Sequence, residues 1–146
     1  MMRVKVRKLD PKAKLPTRGS ELAAGADLYA CVEGGVDINP HSTVFVGTKL
    51  AMEIPEGYAG LIYARSGLAS KRGLAPANKV GVVDSDYRGE ITVALHNHGE
   101  QPQRIEDGER IAQLVITPFL KAEFDQADEL SETERGEGGF GSTGRK

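Results

Sequence analysis

Ile91-Thr92-Val93-Ala94-Leu95-His96 is the stretch on which the fold class turns. Apolar Ile91, Val93 and Leu95 alternate with Thr92, Ala94 and His96, the period of two that a half-buried strand requires. Similar signals recur on both sides. Val4 and Val6 alternate with Arg3, Lys5 and Arg7. Leu28-Tyr29-Ala30-Cys31-Val32 follows a Gly-Ala-Asp turn, and Thr43-Val44-Phe45-Val46 and Lys49–Ile54 flank Gly47-Thr48. Tyr58–Tyr63 follows the turn Pro55-Glu56-Gly57, and Ile111–Thr117 stops at Pro118. Gly and Pro clusters punctuate these runs at short intervals, which predicts an all-β sandwich or barrel. One short helix is predicted over Ser66–Arg72, with Ser66 as its cap.

A chain of 146 residues is long enough for one domain with its own core. Charged residues make up 27% and the net charge is −2, so no basic stripe points to long nucleic acid. A small charged metabolite stays compatible. The single cysteine, Cys31, excludes an internal disulfide and fits a reducing compartment, with the cytoplasm as the expected location. Cys31 lies in an apolar strand and is expected to be inert. No apolar run approaches a membrane span; Ile111–Ile116 is among the longest and is broken by Ala112-Gln113. Met1-Met2-Arg3-Val4-Lys5-Val6-Arg7 reads as a strand, not a signal peptide. Aromatics are only 5% and tryptophan is absent, which points to further burial at an oligomer interface.

The last dozen residues have a different character. Arg135-Gly136-Glu137-Gly138-Gly139-Phe140-Gly141-Ser142-Thr143-Gly144-Arg145-Lys146 sets five glycines around one phenylalanine, two hydroxyls and three cations. Such a segment cannot bury a core, because glycine loses the most backbone entropy on ordering. It does hold what a nucleotide needs: a face for a base to stack on, at Phe140, and N–H groups, hydroxyls and a guanidinium for phosphate oxygens. It reads either as a disordered tail or as a lid over a polyphosphate. Gly136, Gly138 and Gly141 match the dinucleotide fingerprint by letter, but no helix is expected after them; a Walker A loop fails because Ser142 stands where its lysine belongs. Residues 1–126 are therefore expected to form the β domain, and residues 127–146 a linker and flexible arm.

Four segments of the body carry chemistry. Asp84-Ser85-Asp86-Tyr87-Arg88-Gly89-Glu90 follows an apolar strand, Val80-Gly81-Val82-Val83. It is not a calcium loop, since Arg88 occupies a ligand position and Leu95 replaces the closing glutamate. It is either a polar turn or a general base with Tyr87 as a flat wall beside it. Arg65-Ser66-Gly67 opens the helix, as an ordinary capped start or as a polyphosphate site. Gln113, in Gly108-Glu109-Arg110-Ile111-Ala112-Gln113-Leu114, interrupts an apolar strand and either faces solvent or makes a directed hydrogen bond. Asp27, in Ala24-Gly25-Ala26-Asp27-Leu28, orients water or metal, or closes an Asx turn. His96 and His98 share a strand face, but zinc would need a further ligand, and Cys31 and His41 are distant in sequence, so both read as surface histidines.

Taken in order, these five segments resemble the trimeric dUTPase family, the deoxyuridine triphosphate nucleotidohydrolases. The matches are Ala24–Leu28, Ala64–Leu68, Gly81–Gly89, Gly108–Leu114 and the tail from Arg135 to Gly144, so they span nearly the whole chain. Departures are small: Ala64 stands where many members have proline, and Glu137 where a small residue is frequent. The resemblance implies a jelly-roll-like β subunit, a barrel or sandwich, in a homotrimer whose active sites lie at subunit boundaries and are closed by the arm. It implies hydrolysis of dUTP to dUMP and pyrophosphate with Mg2+ held mainly by substrate phosphates. Carried over by position, Asp84 activates the attacking water, Tyr87 packs on the deoxyribose and Asn78 reads uracil. Arg65, Ser66, Gly67 and Gln113 take phosphates, Phe140 stacks on the base, and Arg135, Gly141, Ser142 and Thr143 belong to the phosphate-clamping arm. Asp27 supports the metal indirectly, through water. The same resemblance raises a dCTP deaminase of related fold and a non-catalytic nucleotide-binding regulator as alternatives. The deaminase's catalytic glutamate has no counterpart here, since Ala94 stands at the comparable position.

Overall fold

The computed structural model describes residues 2–141. Eleven strands and one helix follow in order: β1 (Lys5–Lys8), β2 (Ala26–Tyr29), β3 (Val36–Ile38), β4 (Thr43–Gly47), β5 (Leu50–Glu53), β6 (Tyr58–Tyr63), α1 (Ser66–Arg72), β7 (Leu74–Pro76), β8 (Gly81–Val83), β9 (Thr92–Asn97), β10 (Gln103–Ile105) and β11 (Arg110–Pro118). Every pairing is antiparallel. The largest sheet has the order β2-β11-β6-β8, a second β4-β9-β7, and β1-β5 and β10-β3 form two-stranded ribbons. Among the described residues the sheets stay separate and no barrel closes, so the sandwich form of the all-β expectation is the one adopted.

The alternation in β9 does what its pattern dictates. Val93, Leu95 and Asn97 point into the core, while Thr92, Ala94 and His96 face outward beside Gly47, Phe45 and Thr43 of β4. Leu28, Ile38, Leu50, Leu74, Ile91, Leu95, Ile105 and Ile111 are fully buried, each contributing about 2 kcal/mol of hydrophobic stabilisation. Two polar side chains sit among them. Asn97 donates to the Ile38 and Gln101 carbonyls and accepts the Gly99 N–H, and Thr48 donates its hydroxyl to the Ile91 carbonyl at 2.6 Å. Both are satisfied, as buried polar groups must be.

Several local expectations need correction. Cys31 and Asp27 exchange places relative to the strand: Asp27 lies inside β2, and Cys31 lies beyond its end, where Val32 N–H turns to the Asp107 carboxylate. Burial, then the Asp10 and Asp107 carboxylates, push the Cys31 thiol up, in keeping with an inert residue. The helix is capped by Arg65 in an extended conformation, with no side-chain cap bond; Ser66 is its first helical residue. Gly73 ends it with φ 65°, a left-handed turn that glycine adopts freely. His98 falls just past β9. Its ring meets His96 edge-on, with centroids 4.5 Å apart, and its Nε2 is hydrogen-bonded to Lys79 Nζ at 3.0 Å. Desolvation, then His98 and Lys79, hold His96 below the usual imidazole range.

Candidate active site

Among the depressions of the described residues, two gather most of the body's motif residues. The first is a cradle of charge at the β2–β11–β6 end of the large sheet. Asp27 on β2 and Gln113 on β11 are register partners, and Gln113 also faces Tyr63 of β6. Chain leaving β6 delivers Arg65, Ser66 and Gly67 to the same place. Asp27 is the hub. One carboxylate oxygen accepts Arg65 Nε at 2.8 Å and the other accepts Arg110 Nη1 at 3.3 Å. Two guanidiniums around one nearly buried carboxylate leave the cradle with excess positive charge, which suits a phosphate.

Gln113 makes the directed hydrogen bond that its position in an apolar strand suggested. Its Nε2 donates to the Ala64 carbonyl at 2.8 Å, immediately before Arg65. Gly25 makes this possible: a Cβ there would lie 3.1 Å from Gln113 Cδ and closer still to Oε1. The glycine of the first motif is thus a clearance for the glutamine of the fourth. Behind the cradle, Arg72 at the end of α1 donates to Glu109, to the Arg104 carbonyl and, at 3.0 Å, to Gln103. That tie fixes a seven-residue helix to the turn that enters β11.

Arg110 is the site residue that sequence reasoning missed. In a regular strand, residues 110 and 113 point to opposite faces. A β-bulge between Arg110 and Ala112 resets the alternation, so Ile111 and Ala112 are both buried and Arg110 joins Gln113 beside Asp27. The only signal available in the sequence was the consecutive apolar pair Ile111-Ala112 behind a charged residue.

The second depression lies beside β8. Asn78, Gly81, Val83, Asp84 and Tyr87 line it. Gly81 again gives clearance, since a Cβ would stand 3.1 Å from Asn78 Nδ2. Asp84 follows β8 and is exposed, and its carbonyl accepts Tyr87 N–H at 3.2 Å to close a tight turn. Tyr87 folds back over Gly89, where a Cβ would lie 2.6 Å from Cζ, and its hydroxyl donates to the Glu90 carbonyl at 2.9 Å. The ring is therefore anchored through its hydroxyl in the depression that Asp84 also lines, with 45% of the residue exposed.

The two depressions share no lining residue. The described residues of the tail join neither. Arg135 Nε donates to the Gly138 carbonyl of its own turn at 2.8 Å, Phe140 is fully exposed with φ 51°, and Gly141 lies at φ 88°. Ser142 and Thr143 lie outside the described residues. Among the described residues no three His, Cys, Asp or Glu side chains gather as a metal cluster, and no helix is long and apolar enough to cross a membrane.

Comparison with known proteins agrees with this fold. The dUTPase family matches residues 11–144. A deoxyuridine 5'-triphosphate nucleotidohydrolase of Desulfitobacterium hafniense is 54% identical, over 92% of this chain and 90% of its own. That of Syntrophotalea carbinolica is 47% identical, over 97% of this chain and 96% of its own. Among solved structures, the dUTPase of Staphylococcus bacteriophage 80alpha with dUpNHpp aligns with a TM-score of 0.90 at 33% identity, covering 99% of both chains. With a match along nearly its whole length, in sequence and in fold, the chain belongs to the dUTPase family.

Proposed function

We propose that the protein hydrolyses dUTP to dUMP and pyrophosphate, with water attacking the α-phosphorus and Asp84 as the general base. The carrying observation is that an exposed acidic residue, Asp84, and a ring anchored through its hydroxyl, Tyr87, line one depression. The carboxylate accepts the proton that water loses as it attacks. The ring lies against the deoxyribose and leaves no space for a 2′-hydroxyl. Asn78, with the main-chain edge of β8, reads uracil O4 and N3–H; cytosine's reversed donor pattern would leave buried polar groups unpaired. Arg65, Ser66, Gly67 and Gln113 take the phosphates. Arg135, Phe140, Gly141, Ser142 and Thr143 form the arm that closes over base and phosphates, and residues 127–146 act as its linker and lid.

A nucleotide hydrolase of this kind works with a divalent cation, and we assign Mg2+. The donor set fits a cation carried in by the substrate. Both Asp27 oxygens are engaged by guanidiniums, so Asp27 reaches a metal only through water. Phosphate oxygens and water suffice for Mg2+, which seldom needs an all-protein cage. When bound, the cation neutralises phosphate charge that would otherwise repel the nucleophile.

The functional unit we propose is a homotrimer in the cytoplasm. Cradle and Asp84–Tyr87 turn lie in separate depressions of one chain, and a second copy bringing its cradle to the first copy's turn would complete the site. The exposed Leu120, Phe124 and Leu130, each at least 90% accessible in the segment after β11, supply apolar surface for such a contact. The deaminase alternative is not favoured: Ala94, opposite Phe45 in β9, has no proton to move.

The deciding experiment is pyrophosphate release from dUTP, UTP, dCTP and dTTP, with and without magnesium. Release from dUTP alone, lost with chelator, is expected. Ammonia release from dCTP, or tight binding without turnover, overturns the assignment.

A further inference from the structure

Lys49 is one of three non-glycine residues with positive φ among those described, at 54°. A side chain in the left-handed region is strained. Strain of this kind persists where the surroundings over-determine it, and it clusters where it serves a function. Lys49 stands at the β4–β5 corner, far along the chain from every motif residue. Its main-chain N–H donates to one Glu90 carboxylate oxygen at 3.0 Å, and its Nζ donates to the other at 3.2 Å. Glycine would adopt this φ without strain, and would keep the first bond only.

The rest of the corner is shaped around the same neighbour. Gly47 gives the Glu90 carboxylate its space, since a Cβ would lie 3.3 Å from Glu90 Cδ and closer to Oε1. Buried Thr48 donates both its N–H, at 3.1 Å, and its hydroxyl, at 2.6 Å, to the Ile91 carbonyl, while Ile91 N–H donates to Leu50 at 2.7 Å. Residues 90 and 91 are therefore gripped at side chain, N–H and carbonyl. The remaining carbonyl, that of Glu90, receives the Tyr87 hydroxyl.

We infer that the Gly47-Thr48-Lys49 corner positions Tyr87 for sugar selection, with Lys49 acting through Glu90 as a positioning residue. The inference rests on the dUTP-hydrolysing function proposed above and on Tyr87 as its ribose-excluding wall. Exclusion of a 2′-hydroxyl depends on a ring that cannot retreat by a fraction of an ångström. The ring's one hydrogen-bond anchor is a carbonyl, and that carbonyl is only as fixed as residue 90. The strained lysine stiffens it.

The test is kcat/KM for dUTP and for UTP, measured on the full chain by pyrophosphate release for the parent, Lys49→Gly, Lys49→Met and Tyr87→Phe, with a melting curve for each. Lys49→Gly relieves the strained φ, so its melting temperature is expected to hold or rise. Its preference for dUTP over UTP is expected to fall about threefold, the scale of a half-exposed ion pair. Lys49→Met is expected to lose preference to the same extent. Combined with Tyr87→Phe, Lys49→Gly adds no further loss, because both act through one ring. An unchanged preference in both Lys49 variants of an active parent overturns this inference alone, as does full additivity with Tyr87→Phe. A corner with a merely structural role would shift the melting temperature and leave the preference untouched. A parent inactive on both nucleotides overturns the function and the inference together.

Discussion

The charged cradle and the Asp84–Tyr87 turn are built on opposite principles. In the cradle the charged side chains are tied to one another, Asp27 to Arg65 and to Arg110, with Gln113 held by the Ala64 carbonyl beside them. In the turn the ties run to main chain, through the Glu90 and Asp84 carbonyls, and Asp84 is left exposed. The difference follows from the tasks. Two guanidiniums side by side repel until an anion arrives, so a built-in carboxylate holds them in place. A base that must take a proton is weakened by such a partner, since a neighbouring cation lowers its proton affinity. With the roles proposed, binding groups are pre-paired and the reacting group is not.

The sharpest way to break this comparison is Asp84→Asn. Turnover of dUTP is expected to fall about a thousandfold, the range of a lost general base, while an unreactive dUTP analogue binds as before. Near-normal turnover would remove Asp84 from its role. Next comes deletion of residues 136–146. Catalytic efficiency is expected to drop about a hundredfold through lost positioning. The melting temperature should not move, since the hydrophobic core and the side chains packed on it reach no further along the chain than Ile116; a fall in melting temperature would make the arm structural.

Two glycine substitutions sharpen the contrast further. Gly25→Ala displaces Gln113, and Gly89→Ala displaces Tyr87. Each overpacks its site by roughly 1 kcal/mol or more, about fivefold in an equilibrium. Gly25→Ala is expected to weaken inhibition by pyrophosphate and spare the preference for dUTP over UTP. Gly89→Ala is expected to do the reverse. Identical profiles would mean that the two regions are not separable. The smallest effect is optical: Phe140→Trp, in a chain without tryptophan, should change fluorescence on adding dUTP, and a flat signal would argue against base stacking.

Much of this was legible in the chain itself. The alternation over Ile91–His96 gave a strand at Thr92–Asn97, and Tyr58–Tyr63 was read to the residue. Both are long and bounded by turns, so periodicity spoke clearly. Of the four three-residue strands, β3, β7 and β10 went unread because three residues carry too little period to register, whereas β8 was legible as part of the continuous apolar run Val80–Val83. Ser66 was expected to cap the helix, but the extended Arg65 takes that place because its guanidinium is drawn back to Asp27. Asp27 was assigned to a turn; it lies in β2, bonded to the isolated bridge partner Thr17.

Residue order determined the chemistry of this protein: which carboxylate, ring, amide and guanidinium occur, and in which five segments, because local composition is enough to mark turns, strands and motifs. The tertiary structure alone decided which of those groups meet. A bulge turned Arg110 toward Asp27, two missing Cβ atoms let Gln113 and Tyr87 lie where they do, and a strained lysine from a distant corner took hold of Glu90. Such encounters depend on register and clearance between segments many residues apart, and neither quantity is written in any one segment.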